Sequence, residues 1–106
     1  MVMKQFEVYL VNLDPTIGSE IKKSRPAIII SPDQMNKHIA TVIVAPLTHS
    51  SKGYPPRLKT TFKNQSGEIV LDQIRAVNKI RLVKKFGTID QSTAINIKKI
   101  LQTMFQ

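Results

Sequence analysis

Runs of apolar residues, separated by turn-forming residues, divide most of the chain into short segments. Residues 6–12 (FEVYLVN) are rich in β-branched and aromatic side chains, which predicts a strand. Residues 26–31 (PAIIIS) form an unbroken apolar run, which is typical of a strand buried on both faces. Residues 41–47 (TVIVAPL) predict a third strand, whose regular pairing should end at Pro46.

Further segments continue the β pattern. Residues 57–62 (RLKTTF) alternate between polar and apolar, which predicts a strand with one wet face. A Ser66-Gly67 turn signal then precedes residues 68–71 (EIVL), which are also predicted to form a strand. The last two predicted pieces are residues 72–75, as a continuation of that strand, and residues 81–87.

Near the C-terminus the apolar spacing changes from strand to helix. Asp90 resembles a helix N-cap, because its carboxylate can accept from the free N–H groups of a first turn. One apolar face is predicted to pack on the core and consists of Ile97, Ile100, Leu101, Met104 and Phe105. A mainly β fold follows, a small bent barrel or half-barrel over about residues 5–89 with a helix at about 91–105, in one domain.

The charge balance limits the kinds of partner. The chain contains sixteen Lys and Arg and seven Asp and Glu, so its net charge is +9. This charge favours nucleic acid, an anionic membrane surface or an acidic protein as the binding partner. A membrane is the weakest of these, because the predicted helix carries only Lys98 and Lys99 on its polar face. Aromatic residues are 6% of the chain, which argues against a domain that reads single strands mainly by stacking.

Cysteine and histidine usage limits the chemistry. The chain has no cysteine, so it has no disulfide or thiolate metal site, and this composition fits a reducing compartment. His38 and His49 have no histidine partner at helical spacing, so we expect no catalytic metal and no cofactor. We find no signal-peptide pattern and no stretch long enough to span a bilayer, and we therefore expect a cytoplasmic protein.

A polar loop precedes the most apolar segment, in the stretch DPTIGSEIKKSRPAIII. Pro26 favours an extended conformation at Arg25, whose guanidinium could then offer a rigidly placed donor fork to a phosphate. Glu20 and Lys22 share this loop. An ion pair of Arg25 with Glu20 or Asp14 is at least as good an interpretation of these residues alone.

A second polar loop follows the third predicted strand, in the stretch PLTHSSKGY. Thr48 comes directly after the strand, so its hydroxyl should lie at an edge anchored in the core. Histidine is the side-chain type that ordinarily titrates near neutral pH, which makes His49 a candidate general base. The hydroxyls, the lysine and the glycine that follow could wrap an anionic chain. The alternative is an ordinary mobile hairpin loop.

The stretch VLDQIRAVNKIRL carries a third group of polar residues. Asp72 and Arg75 interrupt an apolar segment, and Gln73 could read a base edge by hydrogen bonding. The alternative is a structural Asp72–Arg75 pair, or an ion pair across a subunit boundary.

RNA strand cleavage matches this set of groups, because the 2′-OH can attack the adjacent phosphate without a metal. Arg25 fits the stabilisation of the developing phosphorane charge. Glu20 fits a general base if its surroundings raise its pKa, and Thr48 fits a group that orients the phosphate. Dependence on the 2′-OH would also spare DNA.

Together, DPTIGSE with SRPAIIISP, VAPLTHSSKGYP and VLDQIR resemble the MazF/PemK family of toxins, over nearly the whole chain. The resemblance implies an SH3-like β barrel (MazF/PemK/CcdB-like) with a C-terminal helix, working as a homodimer. It implies a sequence-specific, metal-independent endoribonuclease that cuts single-stranded RNA, including mRNA, and inhibits translation and growth. The implied products carry 2′,3′-cyclic phosphate and 5′-OH ends. An acidic antitoxin is the implied partner, with DNA contacted only through the antitoxin complex.

By the same resemblance, Arg25 and Thr48 are the catalytic pair and Glu20 assists. The implied RNA groove is formed by Ser19, Lys22, His49, Ser50, Ser51, Lys52, Gly53, Tyr54, Asp72, Gln73 and Arg75. Some family members carry a histidine at the position of Ser19 and an arginine at that of Val70. A mechanism built on those groups cannot operate here, which favours Arg25 and Thr48 over Asp72 as catalysts.

Two other functions fit the same fold. Related barrel toxins bind and poison DNA gyrase, which requires a protein-docking face and no arginine directed at a phosphate. A non-catalytic RNA-binding module, or a toxin that has lost its activity, would bind RNA and leave it intact. Cleavage of RNA by the purified protein separates the nuclease from the other two, and a gyrase inhibition assay separates those two from each other.

Overall fold

The computed structural model describes residues 2–106 and contains seven β-strands and two α-helices. The strands are Glu7–Asn12 (β1), Ser24–Ile29 (β2), Thr41–Thr48 (β3), Arg57–Phe62 (β4), Gln65–Val70 (β5), Arg75–Asn78 (β6) and Leu82–Thr88 (β7). The helices are Asp33–His38 (α1) and Gln91–Met104 (α2), and single 3₁₀ turns lie at Leu71–Gln73 and Lys79–Arg81. Within residues 2–106, no helix is long and apolar enough to cross a membrane.

All strands pair antiparallel in one bent sheet with the order β4-β5-β3-β2-β1-β7, and β6 pairs with the first half of β3. Within residues 2–106, β4 and β7 form no ladder, so hydrogen bonds do not close the sheet into a barrel. Its edges nevertheless approach each other, because a Cβ at Gly87 of β7 would lie 3.5 Å from the ring of Phe62 in β4. The predicted mainly β fold with a C-terminal helix is confirmed.

The central strands are buried on both faces, which explains their unbroken apolar sequences. In β2, Ala27 and Ile29 belong to a core cluster that also contains Tyr9 and Val44. Ile28, between them, belongs to a second cluster, which includes residues of α2. The central strands therefore have little freedom to shift, since a slip of one residue would exchange the two faces.

The α2 helix begins as predicted. The Asp90 carboxylate accepts a hydrogen bond from the backbone N–H of Thr93 at 3.2 Å. Hydrogen bonds from Ser92 and Thr93 lower the pKa of Asp90 to about 2. Ile97 is fully buried in the second core cluster, and Ile100 and Leu101 pack against it.

The predicted apolar face of α2 is wrong at its end. Phe105 is 69% exposed and Met104 is 37% exposed. The core cluster extends along the helix to Leu101, and the last turn passes beyond it. Helical spacing alone could not show where the covering sheet stops.

The β4–β5 turn lies earlier than the Ser66-Gly67 signal predicted. Phe62 pairs with Gln65, so Lys63 and Asn64 form a two-residue hairpin loop. Both have positive φ, 50° and 64°, which is the geometry of a type I′ turn. Ser66 and Gly67 are therefore strand residues of β5.

The segment after β5 also differs from its predicted extended form. Residues Leu71–Gln73 form a 3₁₀ turn, and β6 then returns to pair with β3. The ladder of β3 with β2 ends at Pro46, as predicted. The strand itself continues to Thr48 and changes partners there, since Val44 pairs with β6 and Leu47 with β5. The sequence analysis also missed the six-residue helix α1.

We expect Ile97→Ala to lower the free energy of unfolding by about 3 kcal/mol, because it leaves a cavity under α2. Phe105→Ala is the matched control on the same helix and should cost less than about 1 kcal/mol, since its ring is largely solvated. Chemical denaturation measures both values. Equal losses would contradict the observed orientation of α2.

Candidate active site

The pairing of β2 with β3 brings Arg25 and Thr48 together. The ladder runs through Ile29–Val44 and Ile28–Ala45 and stops at Ala27–Pro46, next to two prolines that lack backbone N–H groups. Continued by two residues, this register sets Arg25 opposite Thr48. Each side chain thus extends from a strand whose inner half is buried, and their approach is fixed by the core.

Arg25 is half-buried and keeps most of its donors available. Its Nε donates to the carbonyl of Lys22 at 3.1 Å, while its terminal nitrogens have no hydrogen-bond partner within residues 2–106. The alternative ion pairs do not form. Asp14 accepts from the backbone N–H of Lys23 at 3.0 Å, and Glu20 accepts from that of Ile17 at 2.7 Å.

Thr48 is held by β5, where it pairs with Glu68, and by its own turn. Its Oγ1 accepts from the backbone N–H of Ser50 at 3.3 Å and lies 3.0 Å from the Ser50 hydroxyl. On β5, Gly67 lies so close that a Cβ there would sit 2.1 Å from the carbonyl oxygen of Thr48. Only a glycine allows β5 to approach the end of β3 this closely.

Arg25, Thr48 and His49 line one cleft, which we call the Arg25–Thr48 cleft. Its cavity volume is about 60 Å³, and its far wall is the β4–β5 hairpin. His49, Thr60, Ser66 and Gly67 also line a second depression, which contains Ser51 and Lys59. The two depressions are therefore continuous along the hairpin.

Glu20 lies elsewhere. It lines a separate cleft, the Glu20 cleft, together with four other residues of the predicted groove: Ser19, Asp72, Gln73 and Arg75. The structure therefore places Glu20 in a different cleft from Arg25 and Thr48. Five other predicted site residues line none of these depressions: Lys22, Ser50, Lys52, Gly53 and Tyr54.

Gln73 fixes the loop that carries Glu20. Its Oε1 accepts from the backbone N–H of Ile21 at 2.7 Å, and its Nε2 donates to the carbonyl of Ser19 at 3.3 Å. Arg75 supports the start of the same loop by donating to the carbonyl of Leu13 at 2.9 Å. The Gln73 amide, expected to read a base, already has partners in this conformation.

Asp72 pairs with Arg57 rather than with Arg75. The Arg57 fork donates to both carboxylate oxygens of Asp72, at 3.0 and 3.2 Å. These hydrogen bonds lower the pKa of Asp72, so it remains ionised near neutral pH and is a weak proton acceptor. The Arg57 guanidinium also lies 4.7 Å from the ring centre of Tyr54, which is half exposed.

A buried carboxylate holds the loop after Thr48. Glu68 of β5 is 0% exposed and accepts from the backbone N–H groups of Lys52 and Gly53 at 3.1 and 3.0 Å. The hydroxyl of Ser51 donates to it at 3.3 Å. These donors, Lys52 first, lower the pKa of Glu68. The loop is thus tied to the sheet at three consecutive residues.

Sequence reasoning missed Arg57, Thr60, Gly67 and Glu68. The alternation of residues 57–62 offered a signal for Thr60, because it predicted a wet face. Glu68 begins the apolar run EIVL, and a charged residue in that place was a signal, although nothing local showed which loop it would bind.

Lys22 and Lys52 are exposed, as expected of phosphate-contacting side chains. Within residues 2–106, no three acidic or histidine side chains form a group that could hold a metal ion.

We expect Gly67→Ala to destabilise the protein by about 3 kcal/mol, because the new methyl group meets the Thr48 backbone rather than a mobile side chain. Gly18→Ala is the control, since Gly18 has a φ of +58° but no atom near its Cβ position. It should cost about 1 kcal/mol. A Gly67→Ala protein as stable as the control would contradict the close approach of β5 to Thr48.

Curated relatives match this chain along most of its length. Endoribonuclease MazF of Staphylococcus epidermidis is 33% identical, and the match covers 94% of this chain and 88% of the relative. Endoribonuclease EndoA of Bacillus subtilis (strain 168) is 32% identical, with coverage of 96% and 93%.

Solved structures confirm the fold. MazF from Deinococcus radiodurans superposes with a TM-score of 0.87 at 21% identity, covering 99% of this chain and 97% of the other. An endoribonuclease in complex with its cognate antitoxin, from a mycobacterial species, gives 0.81 at 22% identity, with coverage of 95% and 92%. The PemK-like, MazF-like toxin family of type II toxin–antitoxin systems matches residues 4–105. The chain belongs to this family.

Proposed function

We propose that this chain is the toxin of a type II toxin–antitoxin pair and cleaves single-stranded RNA, mRNA included, by attack of a 2′-OH on the adjacent phosphate. Its family and its endoribonuclease relatives support the activity. The observation that carries the mechanism is the Arg25–Thr48 cleft. There Arg25, whose terminal N–H groups are free, and the hydroxyl of Thr48 line the same cleft from the ends of two adjacent strands. Cleavage at chosen sequences would stop translation and growth.

The scissile phosphate binds between these two residues. The terminal nitrogens of Arg25 contact its non-bridging oxygens and stabilise the charge that grows on them. Thr48 accepts the Ser50 N–H through its oxygen, so its hydroxyl proton can be donated to the phosphate. The 2′-oxygen bonds to phosphorus and loses its proton, while the bond to the 5′-oxygen breaks and that oxygen gains a proton. The products are a 2′,3′-cyclic phosphate and a 5′-OH, and no metal takes part.

His49 is the best-placed group for the proton transfer. It lines the same cleft as Arg25 and Thr48, whereas Glu20 lies in the neighbouring cleft with its carboxylate bound to the Ile17 N–H. Both carboxylate oxygens of Asp72 accept hydrogen bonds from Arg57. We therefore assign Glu20 to the shape of its loop and to RNA binding in the Glu20 cleft.

The partners follow from charge and family. A net charge of +9 suits RNA and also an acidic antitoxin that covers the same grooves. The mycobacterial relative was solved with its cognate antitoxin, and we propose the same arrangement here, on a cytoplasmic homodimer that meets DNA only through the antitoxin. A pure RNA-binding module or a gyrase poison would leave RNA uncut.

We expect Arg25→Ala to lower kcat/KM for RNA cleavage by at least about a hundredfold, the size of losing one preorganised donor to a transition-state charge. Arg25→Lys keeps the charge but loses the fork, and should recover only part of the rate. Initial rates on a fluorescent RNA measure both, with unchanged melting temperatures as the control. Near wild-type cleavage by Arg25→Ala would remove Arg25 from the mechanism.

We expect His49→Gln to abolish the limb of the pH–rate profile that reports proton acceptance, and to lower kcat by about a hundredfold. Glu20→Gln should leave that limb in place and act mainly on KM. Steady-state rates of each variant across pH separate the two. The opposite result, with the limb lost in Glu20→Gln, would make Glu20 the base.

A further inference from the structure

We propose that Glu68 is a positioning residue for RNA binding, which holds the segment 51–53 in the one shape that lets the loop after Thr48 receive RNA. This inference rests on the proposed nuclease function. It assigns a role in substrate binding to a side chain that is fully buried and does not touch the RNA.

The hydrogen bonds of the segment go to one carboxylate. Ser51, Lys52 and Gly53 donate to Glu68 at 3.3, 3.1 and 3.0 Å, and within residues 2–106 these are the hydrogen bonds that the three residues make. Two successive backbone N–H groups, those of Lys52 and Gly53, therefore share one acceptor, and the backbone turns at Gly53, whose φ is +69°. Among the residues that the structure describes, no other hydrogen bond ties this segment to the sheet.

The position of Glu68 links the segment to the catalytic strand. Glu68 lies directly opposite Thr48 in the β3–β5 ladder and follows Gly67, which contacts the Thr48 carbonyl. The strand that sets Thr48 thus also sets the loop that leaves it. Tyr54, which directly follows the segment, is thereby held in a fixed relation to the sheet.

Burial also solves an electrostatic problem. A carboxylate on an RNA-binding surface would repel phosphates, yet backbone N–H groups need a strong acceptor to be held firmly. Glu68 supplies the acceptor from inside the sheet, at 0% exposure, while the Lys52 side chain stays exposed to solvent. The side chain of Gln cannot replace it, since its NH₂ group would face N–H donors.

The test is the steady-state cleavage of a long single-stranded RNA by Glu68→Gln. We expect KM to rise about tenfold or more, and kcat to change by less than about threefold, because the segment 51–53 is released while Arg25, Thr48 and His49 stay at the strand ends. Glu7→Gln is the matched control. Glu7 is also a buried carboxylate, with partners Lys4 and Lys85 at the other end of the sheet, and its loss should lower stability without raising KM.

Ser51→Ala tests the same contact from the loop, with the core left intact, and should raise KM by a smaller factor. It should also speed hydrogen exchange of the Lys52 and Gly53 amides, which loss of a direct RNA contact alone would not do. It decides the matter if Glu68→Gln does not fold. An unchanged KM in the folded variants would overturn the inference, as would a fall in kcat alone or an equal rise of KM in Glu7→Gln. Uncut RNA with the wild-type protein would instead overturn the proposed function, and this inference with it.

Discussion

The register between β2 and β3 is the constraint on which the candidate site depends. Both strands bury alternate side chains in two different core clusters, so neither strand can slip without exposing apolar residues on one face and crowding the other. That register places Arg25 and Thr48 opposite each other at the first pair beyond the prolines. Their relative position is therefore set by core packing, and no direct contact between the two side chains is needed.

The polar loops around this pair are held by side chains from one stretch of chain, from β4 to β6. Gln73 binds the loop before Arg25, and Glu68 binds the loop after Thr48. Arg57 joins Asp72 to the ring of Tyr54. The strands supply rigidity and the loops supply the surface, a division that is common where a rigid scaffold presents functional loops. It also explains why Gln73 and Glu68, two conspicuous polar side chains, bind backbone groups of the loops.

The sequence predicted what local patterns decide. Continuous apolar runs correctly indicated strands buried on both faces, and Asp90 correctly indicated a helix start, because each depends on neighbours a few residues away. The predicted burial of Met104 and Phe105 at the end of α2 was wrong, since the extent of the covering core is a tertiary property. The turn at Lys63 and Asn64 was missed because two non-glycine residues adopt positive φ there.

For the site, the motifs around Arg25 and Thr48 predicted two strand ends that do meet. The partners of the charged residues could not be predicted, since Asp72 with Arg57 and Glu68 with residues 51–53 are contacts across 15 or more positions. They exist because β4, β5 and β3 are neighbours in the sheet.

The most direct measurement of the central claim is end-group analysis of a long single-stranded RNA incubated with the purified protein in EDTA. The account predicts discrete fragments that carry 2′,3′-cyclic phosphate and 5′-OH ends, as attack by the 2′-oxygen requires. Fragments with 3′-OH and 5′-phosphate ends, cleavage that EDTA abolishes, or RNA that stays intact with folded protein would contradict it.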